Sequence, residues 1–312
     1  MRTSGLAWLT VAICLGQLGC GFSQVNPTQD DDRSSHIVKF VRVDKDVLLE
    51  VLDWGGSGRP LVLLSGGNLT AHIYDTFLSP KLIGAYHVYG ITRRGYGKSS
   101  APEFGYLADR LADDVLAVID ALKLDRPVLV GHSIAGQELS SIGSRHPEKV
   151  AGLIYLDAAA AYAFYQPEDL SALLIDLHEL RRKLEKLLKG GSNRYQLSQE
   201  LLEIDLPLFK KDLERQQEEL PKFVLEPLEM PGDQRMNAGI QRYTAVKAPV
   251  LAICAGQSNP AVQRECEKQR KIVERSAPSS KFVILPNAPH LLFVSNEEDV
   301  LREMNAFIAD LR

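Results

Sequence analysis

Ser133 and His290 are the two residues of this chain whose types, neighbours and order could make an activated nucleophile. Residues 127–136 read Pro-Val-Leu-Val-Gly-His-Ser-Ile-Ala-Gly. The apolar run Val128 to Val130 has the composition of a buried strand, Gly131 breaks it, and Ile134 to Ser144 can continue as a helix. A serine at the tip of a tight strand-to-helix turn is presented outward, and small residues beside it leave the turn room to close. The pattern is Gly131-x-Ser133-x-Ala135-Gly136, with alanine, small enough to be tolerated, where the usual motif has its second glycine. The helix that starts there points free backbone N–H groups at the serine, ready to hold an oxyanion. A serine hydroxyl is a weak nucleophile until an imidazole takes its proton. His290, in Asn287-Ala288-Pro289-His290, follows the last expected strand and is the candidate base. His132 is the wrong candidate, because a sharp turn points adjacent side chains apart; it is expected to pack near the pocket or hold a loop.

These two residues are far apart in sequence and need a scaffold to meet. His36 to Val43 and Val47 to Leu52 alternate in polarity like a hairpin turning at Asp44-Lys45. Leu61 to Leu64, His87 to Ile91, the run from Pro127, Leu153 to Leu156, Val250 to Cys254 and Phe282 to Leu285 read as further strands. Leu107, Leu111, Val115, Val118, Ile119 and Leu122 recur at helical spacing, so Tyr106 to Leu122 is expected as an amphipathic helix. Alternation of this kind implies a parallel sheet of about eight strands with helices on both faces, made mixed by the leading hairpin. Loops at the carboxyl ends of such strands converge on one edge, which lets His290 reach Ser133. From about Tyr162 to Tyr243 the alternation stops, and the chain is charged and helical with a break at Gly190-Gly191-Ser192. This block reads as a helical cap, its charges a solvated face and Leu173, Leu174, Leu177, Leu180 and Leu184 a packing face.

The chain has 312 residues, 45% hydrophobic and 24% charged, with a formal net charge of −4. That is an ordinary composition for one large domain and gives no electrostatic reason to expect a nucleic-acid partner. Met1, Arg2 and the apolar segment Leu6 to Leu18 look like a secretory signal, too short to span a bilayer. Residues 1–23 are assigned to it and 24–35 to a polar linker, so the protein is expected to be secreted or periplasmic. Leu18-Gly19-Cys20 resembles a lipoprotein processing site, and a lipid on Cys20 would be the sole membrane contact; cleavage after Ser23 is the alternative. Export leaves Cys254 and Cys266 in the mature body. Two thiols in an oxidising compartment can pair, but the reading adopted is one buried and one exposed free cysteine. No His or Cys spacing resembles a zinc site, and no metal is expected.

Four segments, in this order, carry a resemblance. They are Leu63-Leu64-Ser65-Gly66-Gly67-Asn68, Arg94-Gly95-Tyr96-Gly97-Lys98-Ser99, Gly131-His132-Ser133 and Asn287-Ala288-Pro289-His290. From His36 to Arg312 the chain resembles the α/β-hydrolases, within them the capped, esterase-like bacterial type. The resemblance implies a core in two parts, 36–161 and 246–312, with the cap at 162–245. It implies an oxyanion hole from the backbone N–H groups of Gly67 and Ile134; Ser65 stands where the family often has histidine. The Arg94 segment is expected to be structural. The family's usual acid position, after the strand at Val250 to Cys254, reads Ala255-Gly256-Gln257-Ser258-Asn259-Pro260 and holds no carboxylate. Asp157, at the end of the preceding strand, is the favoured acid, and Asn259 as a neutral orienter is the alternative. Glu265 and Glu267 are remote because both fall in a helix. A serine hydrolase acting on a small carboxylic ester, with no cofactor, is the implied function. The same residues would support amide, lactone or carbon–carbon hydrolysis and perhydrolysis, and a non-catalytic binding protein on this fold stays open.

Overall fold

The computed structural model describes residues 36–159, 177–190, 193–219, 243, 245–257 and 259–311. The expected signal and linker, residues 1–35, lie outside them. Eight strands run β1 (Ile37–Asp44), β2 (Val47–Gly55), β3 (Pro60–Leu64), β4 (His87–Ile91), β5 (Val128–His132), β6 (Gly152–Leu156), β7 (Val250–Gly256) and β8 (Ser280–Pro286). They form one sheet in the order β1-β2-β4-β3-β5-β6-β7-β8. β1 and β2 are the antiparallel hairpin, β2 meets β4 antiparallel, and every later pairing is parallel.

Side-chain alternation divides the core. In β3, Val62 and Leu64 join one apolar cluster with Leu129, Leu139 and Ile142, while Leu61 and Leu63 join another with Val128, Val130 and Phe293. Period 2 therefore sends neighbours to opposite faces, and both faces are covered, as a parallel sheet requires. The helices Ala108–Ala121, Gly136–Arg145 and Pro260–Ser276 contribute to the first cluster, and residues of Ala71–Tyr74 and Glu297–Ala309 to the second. Because strands buried on both faces need apolar residues at every position, β5 and β6 read in sequence as unbroken runs.

β3 pairs with β4 on one side and β5 on the other, so the winding direction reverses there. The carboxyl ends of β3 and β5 flank this reversal, the place where open α/β sheets form their sites.

Between β6 and β7 the described residues include the helices Leu177–Lys189, Arg194–Glu200 and Leu206–Glu219, with one wider turn at Leu201–Asp205. Leu180 and Leu201 are buried there in a small cluster with Leu187, Leu197, Leu208 and Phe209. Leu184, expected to pack, is 41% exposed; the seam between short helices is narrower than the apolar stripe that the spacing suggests. Leu173 and Leu174 lie outside the described residues.

Cys254 and Cys266 form a disulfide, with Cα atoms 6.1 Å apart. This overturns the expectation of two free thiols, one exposed. Both are buried, at 3% and 1% exposure, because helix Pro260–Ser276 lies back along β7 and brings Cys266 over the strand end. No described helix is long and apolar enough to cross a membrane.

Candidate active site

The turn after β5 has the geometry that its residues suggest. Ser133 sits directly beyond the strand with a left-handed φ of 54°, a strained conformation for a residue with a Cβ, of the kind found at functional sites. A short 3-10 segment, Ser133–Ala135, leads into helix Gly136–Arg145. Gly131 explains how alanine is accepted in the motif: a Cβ there would meet the Ala135 methyl at 3.1 Å and Leu139 Cδ1 at 2.9 Å. The bare glycine makes room for the methyl group.

His290 and Asp157 converge on that serine. His290 Nε2 is 2.9 Å from Ser133 Oγ, and its Nδ1 is 2.6 Å from Asp157 Oδ2. The carboxylate can only accept, so Nδ1 carries the proton, and Nε2 accepts from the Ser133 hydroxyl. Asp157 begins the loop after β6, and its N–H donates to the Ile253 carbonyl at 2.8 Å. Its other oxygen, Oδ1, accepts the Ala255 N–H at 3.0 Å. One carboxylate oxygen is thus spent on the backbone and the other left for the imidazole. Asn259 does something else. Its Oδ1 accepts the Ala261 N–H at 2.8 Å and caps helix Pro260–Ser276, the ordinary task of asparagine before a helix. Glu265 and Glu267 lie inside that helix.

His132 does not approach Ser133 Oγ as a base. Its Nε2–H donates to the His290 backbone carbonyl at 3.0 Å, and its ring lies 4.6 Å from the His290 ring and 5.1 Å from that of Phe293. Burial, and then the charge that His290 can carry, depress its pKa to about 4. It is neutral at ordinary pH and holds the loop that delivers His290.

The loop after β3 closes as a turn, Leu69 N–H to the Gly66 carbonyl, with Asn68 at φ 59°. Left-handed backbone at that position suits asparagine. Gly66 packs against the elbow, since a Cβ on it would lie 2.6 Å from His132 Nδ1 and 3.2 Å from Ser133 Cβ. Gly67 is roomier: its nearest neighbour would be Ile134 Cγ2 at 3.9 Å. The candidate oxyanion residues Gly67 and Ile134 are therefore neighbours. Sequence reasoning missed what fixes this loop. Arg93 donates from Nη2 to the Ser65 carbonyl at 3.0 Å and from Nε to Glu138 on the helix after the elbow. The buried pair joins the loop to the elbow helix, and nothing in the spacing of residues 65, 93 and 138 announces it. Arg94 is structural, as expected, buried and bidentate on Asp114 at 2.6 Å for each bond.

The arrangement can move a proton from Ser133 to His290 while Asp157 fixes the tautomer and stabilises the imidazolium, the division of labour of a nucleophile, base and orienting acid.

Known proteins resemble this chain in sequence and in fold. The profile of the Alpha/beta hydrolase family matches residues 61–303. The AB hydrolase superfamily protein YisY of Bacillus subtilis (strain 168) is 34% identical over 125 residues, 40% of this chain and 46% of that protein. The 2-(acetamidomethylene)succinate hydrolase of Mesorhizobium japonicum is 22% identical over 274 residues, covering 81% of this chain and 89% of the relative. The solved bromoperoxidase from Bacillus anthracis shares the fold, with a TM-score of 0.59 at 20% identity over 88% of this chain and all (100%) of that one. Several curated relatives, YisY among them, are matched over less than half of their length.

Proposed function

This chain belongs to the alpha/beta hydrolase family, and from that premise we propose that it is a serine hydrolase cleaving a small carboxylic ester. The observation that carries the reading is the hydrogen-bonded sequence Asp157–His290–Ser133. Ser133 attacks the acyl carbon as His290 Nε2 takes its proton. The Gly67 and Ile134 N–H groups receive the charge that develops on the carbonyl oxygen; such donors are a large term in acyl transfer because they are oriented before the charge appears. His290 then protonates the leaving alcohol, and the acyl group stays on Ser133 until water, activated by the same imidazole, releases it. An ester is favoured over an amide because an alkoxide leaves with less assistance than an amine. The relatives include a protein named as a bifunctional esterase/perhydrolase, 32% identical over 108 residues, which supports acyl transfer as the chemistry.

The Cys254–Cys266 bridge supports the reading of an exported protein, since disulfides persist in oxidising compartments.

The test is a fluorophosphonate probe applied to the purified protein and to Ser133→Ala, read by intact mass. One adduct on the wild type and none on the variant is the expected result, with ester screening to follow. A folded wild type that takes up no probe means that Ser133 is not activated and leaves a binding role on this fold.

A further inference from the structure

A second group of side chains converges away from Ser133, at the start of the core. His36 precedes β1, Glu50 is in β2, His72 lies in the short 3-10 turn Ala71–Tyr74 after β3, and Asp75 follows it. One ligand atom each from His36, His72 and Asp75 can be chosen so that all lie within 4.8 Å of one another. His36 Nδ1 is 2.9 Å from Asp75 Oδ1, and His72 Nδ1 is 2.9 Å from Asp75 Oδ2. We propose that His36, His72 and Asp75 bind a divalent transition-metal ion of the zinc class.

Three observations support an ion here rather than a plain hydrogen-bond cluster. The first is spacing. Nitrogen and oxygen ligands at ordinary zinc distances sit about 3.3 Å apart around a tetrahedron; the two histidine–Asp75 contacts are 2.9 Å, and no pair among the three ligand atoms exceeds 4.8 Å. The second is the outer layer. His72 turns Nδ1 to the cluster and Nε2 to Glu50 Oε1, a long contact of 3.5 Å, while Thr92 Oγ1–H donates to Glu50 Oε2 at 2.8 Å. Trp54 Nε1–H donates to Asp75 Oδ1 at 2.8 Å. A carboxylate behind a ligating imidazole, and a donor behind a ligating carboxylate, are the supports that metal ligands ordinarily carry. The third is charge. Glu50 and His36 have side chains only 1% exposed and Asp75 14%, and a 2+ ion on two neutral imidazoles and the Asp75 carboxylate offsets both that carboxylate and the Glu50 carboxylate behind His72 in this part-buried place. Two imidazoles among the ligands select a zinc-like ion over magnesium or calcium, which prefer oxygen. The ion would tie the start of β1 to the segment that follows the Gly66–Asn68 loop.

The test uses the purified wild-type chain, stripped with a chelator and dialysed, then titrated with Zn2+ by calorimetry and with Co2+ by visible absorption. The expected result is one equivalent bound per chain, a Co2+ spectrum of mixed nitrogen and oxygen ligation, and a raised Tm; Mg2+ gives none of these. His72→Gln and Asp75→Asn abolish the binding while Ser133 still labels with the fluorophosphonate, and Glu50→Gln weakens it roughly 10- to 100-fold. Absence of Zn2+ uptake by the wild type overturns the proposal, as does equal uptake by the wild type and both ligand variants.

Discussion

Ser133 and Asp157 stand level with each other, each the first residue beyond the paired ends of adjacent parallel strands. His132 of β5 is in register with Leu156 of β6, and the next residue on each strand turns into left-handed backbone, φ 54° for Ser133 and 48° for Asp157. The same departure from the strand that lifts the serine out of the sheet lifts the carboxylate. This register lets an acid at the end of β6 serve a histidine that arrives after β8. It also leaves the loop after β7 free of any carboxylate requirement, and Ala255 of β7 contributes only its N–H, to Asp157 Oδ1.

Asp157→Asn keeps the shape but can offer an amide N–H to His290 Nδ1, favouring the wrong tautomer. The expected loss in kcat on a p-nitrophenyl ester is about 10^3- to 10^4-fold, with KM little changed. Asn259→Ala should leave kcat unaltered and lower only the stability, by the roughly 1 kcal/mol of a lost helix cap. A loss of kcat in Asn259→Ala with Asp157→Asn close to the wild type would make Asn259 the group that orients His290.

Gly66→Ala and Gly67→Ala should separate sharply although the residues are adjacent. At Gly66 the new methyl meets the His132 ring at 2.6 Å, and displacement of about 1 Å near the nucleophile costs on the order of 100-fold in rate. At Gly67 the nearest atom is 3.9 Å away and the N–H is retained, so kcat/KM is expected to stay within a few-fold. Steady-state kinetics on both variants decide it.

His132 couples stability to pH. Unfolded, it binds a proton near its ordinary value of 6.5; folded, it does so only near 4. Between these values the unfolded chain holds more protons, so stability present above about pH 6.5 is lost as pH falls toward 4. The contribution reaches about 3 kcal/mol at most. Denaturant melts from pH 7 to pH 4 should show a steeper fall for the wild type than for His132→Asn, and parallel slopes would remove His132 from the account.

The Cys254–Cys266 bridge closes a loop of 12 residues in sequence separation, and replacing both cysteines with alanine should cost about 2–3 kcal/mol of stability. Because Cys254 precedes Ala255, whose N–H holds Asp157, kcat should fall as well, more than in Asn259→Ala. Chemical melts and kinetics of the double variant, against the wild type with and without reductant, measure both effects.

The sequence by itself determined the scaffold and singled out Ser133 and His290 as the candidate nucleophile and base. Apolar runs such as Val128–Val130 and Leu153–Leu156 read as strands buried on both faces, and the small residues around Ser133 suit a tight strand-to-helix turn. Those are local signals, set by periodicity and by steric limits within a few residues. Whether Asp157 or Asn259 meets His290 is not local. Either residue suits the end of a strand or the start of a helix, and strand register together with the cap on Pro260–Ser276 separates them. The disulfide, the Arg93–Glu138 tie to Ser65 and the gathering of His36, His72 and Asp75 belong to the same class. Their partners meet through tertiary packing, at separations from 12 residues for the disulfide to 45 for Arg93 and Glu138, with His36 and Asp75 39 apart, and no spacing along the chain encodes a distance across the fold.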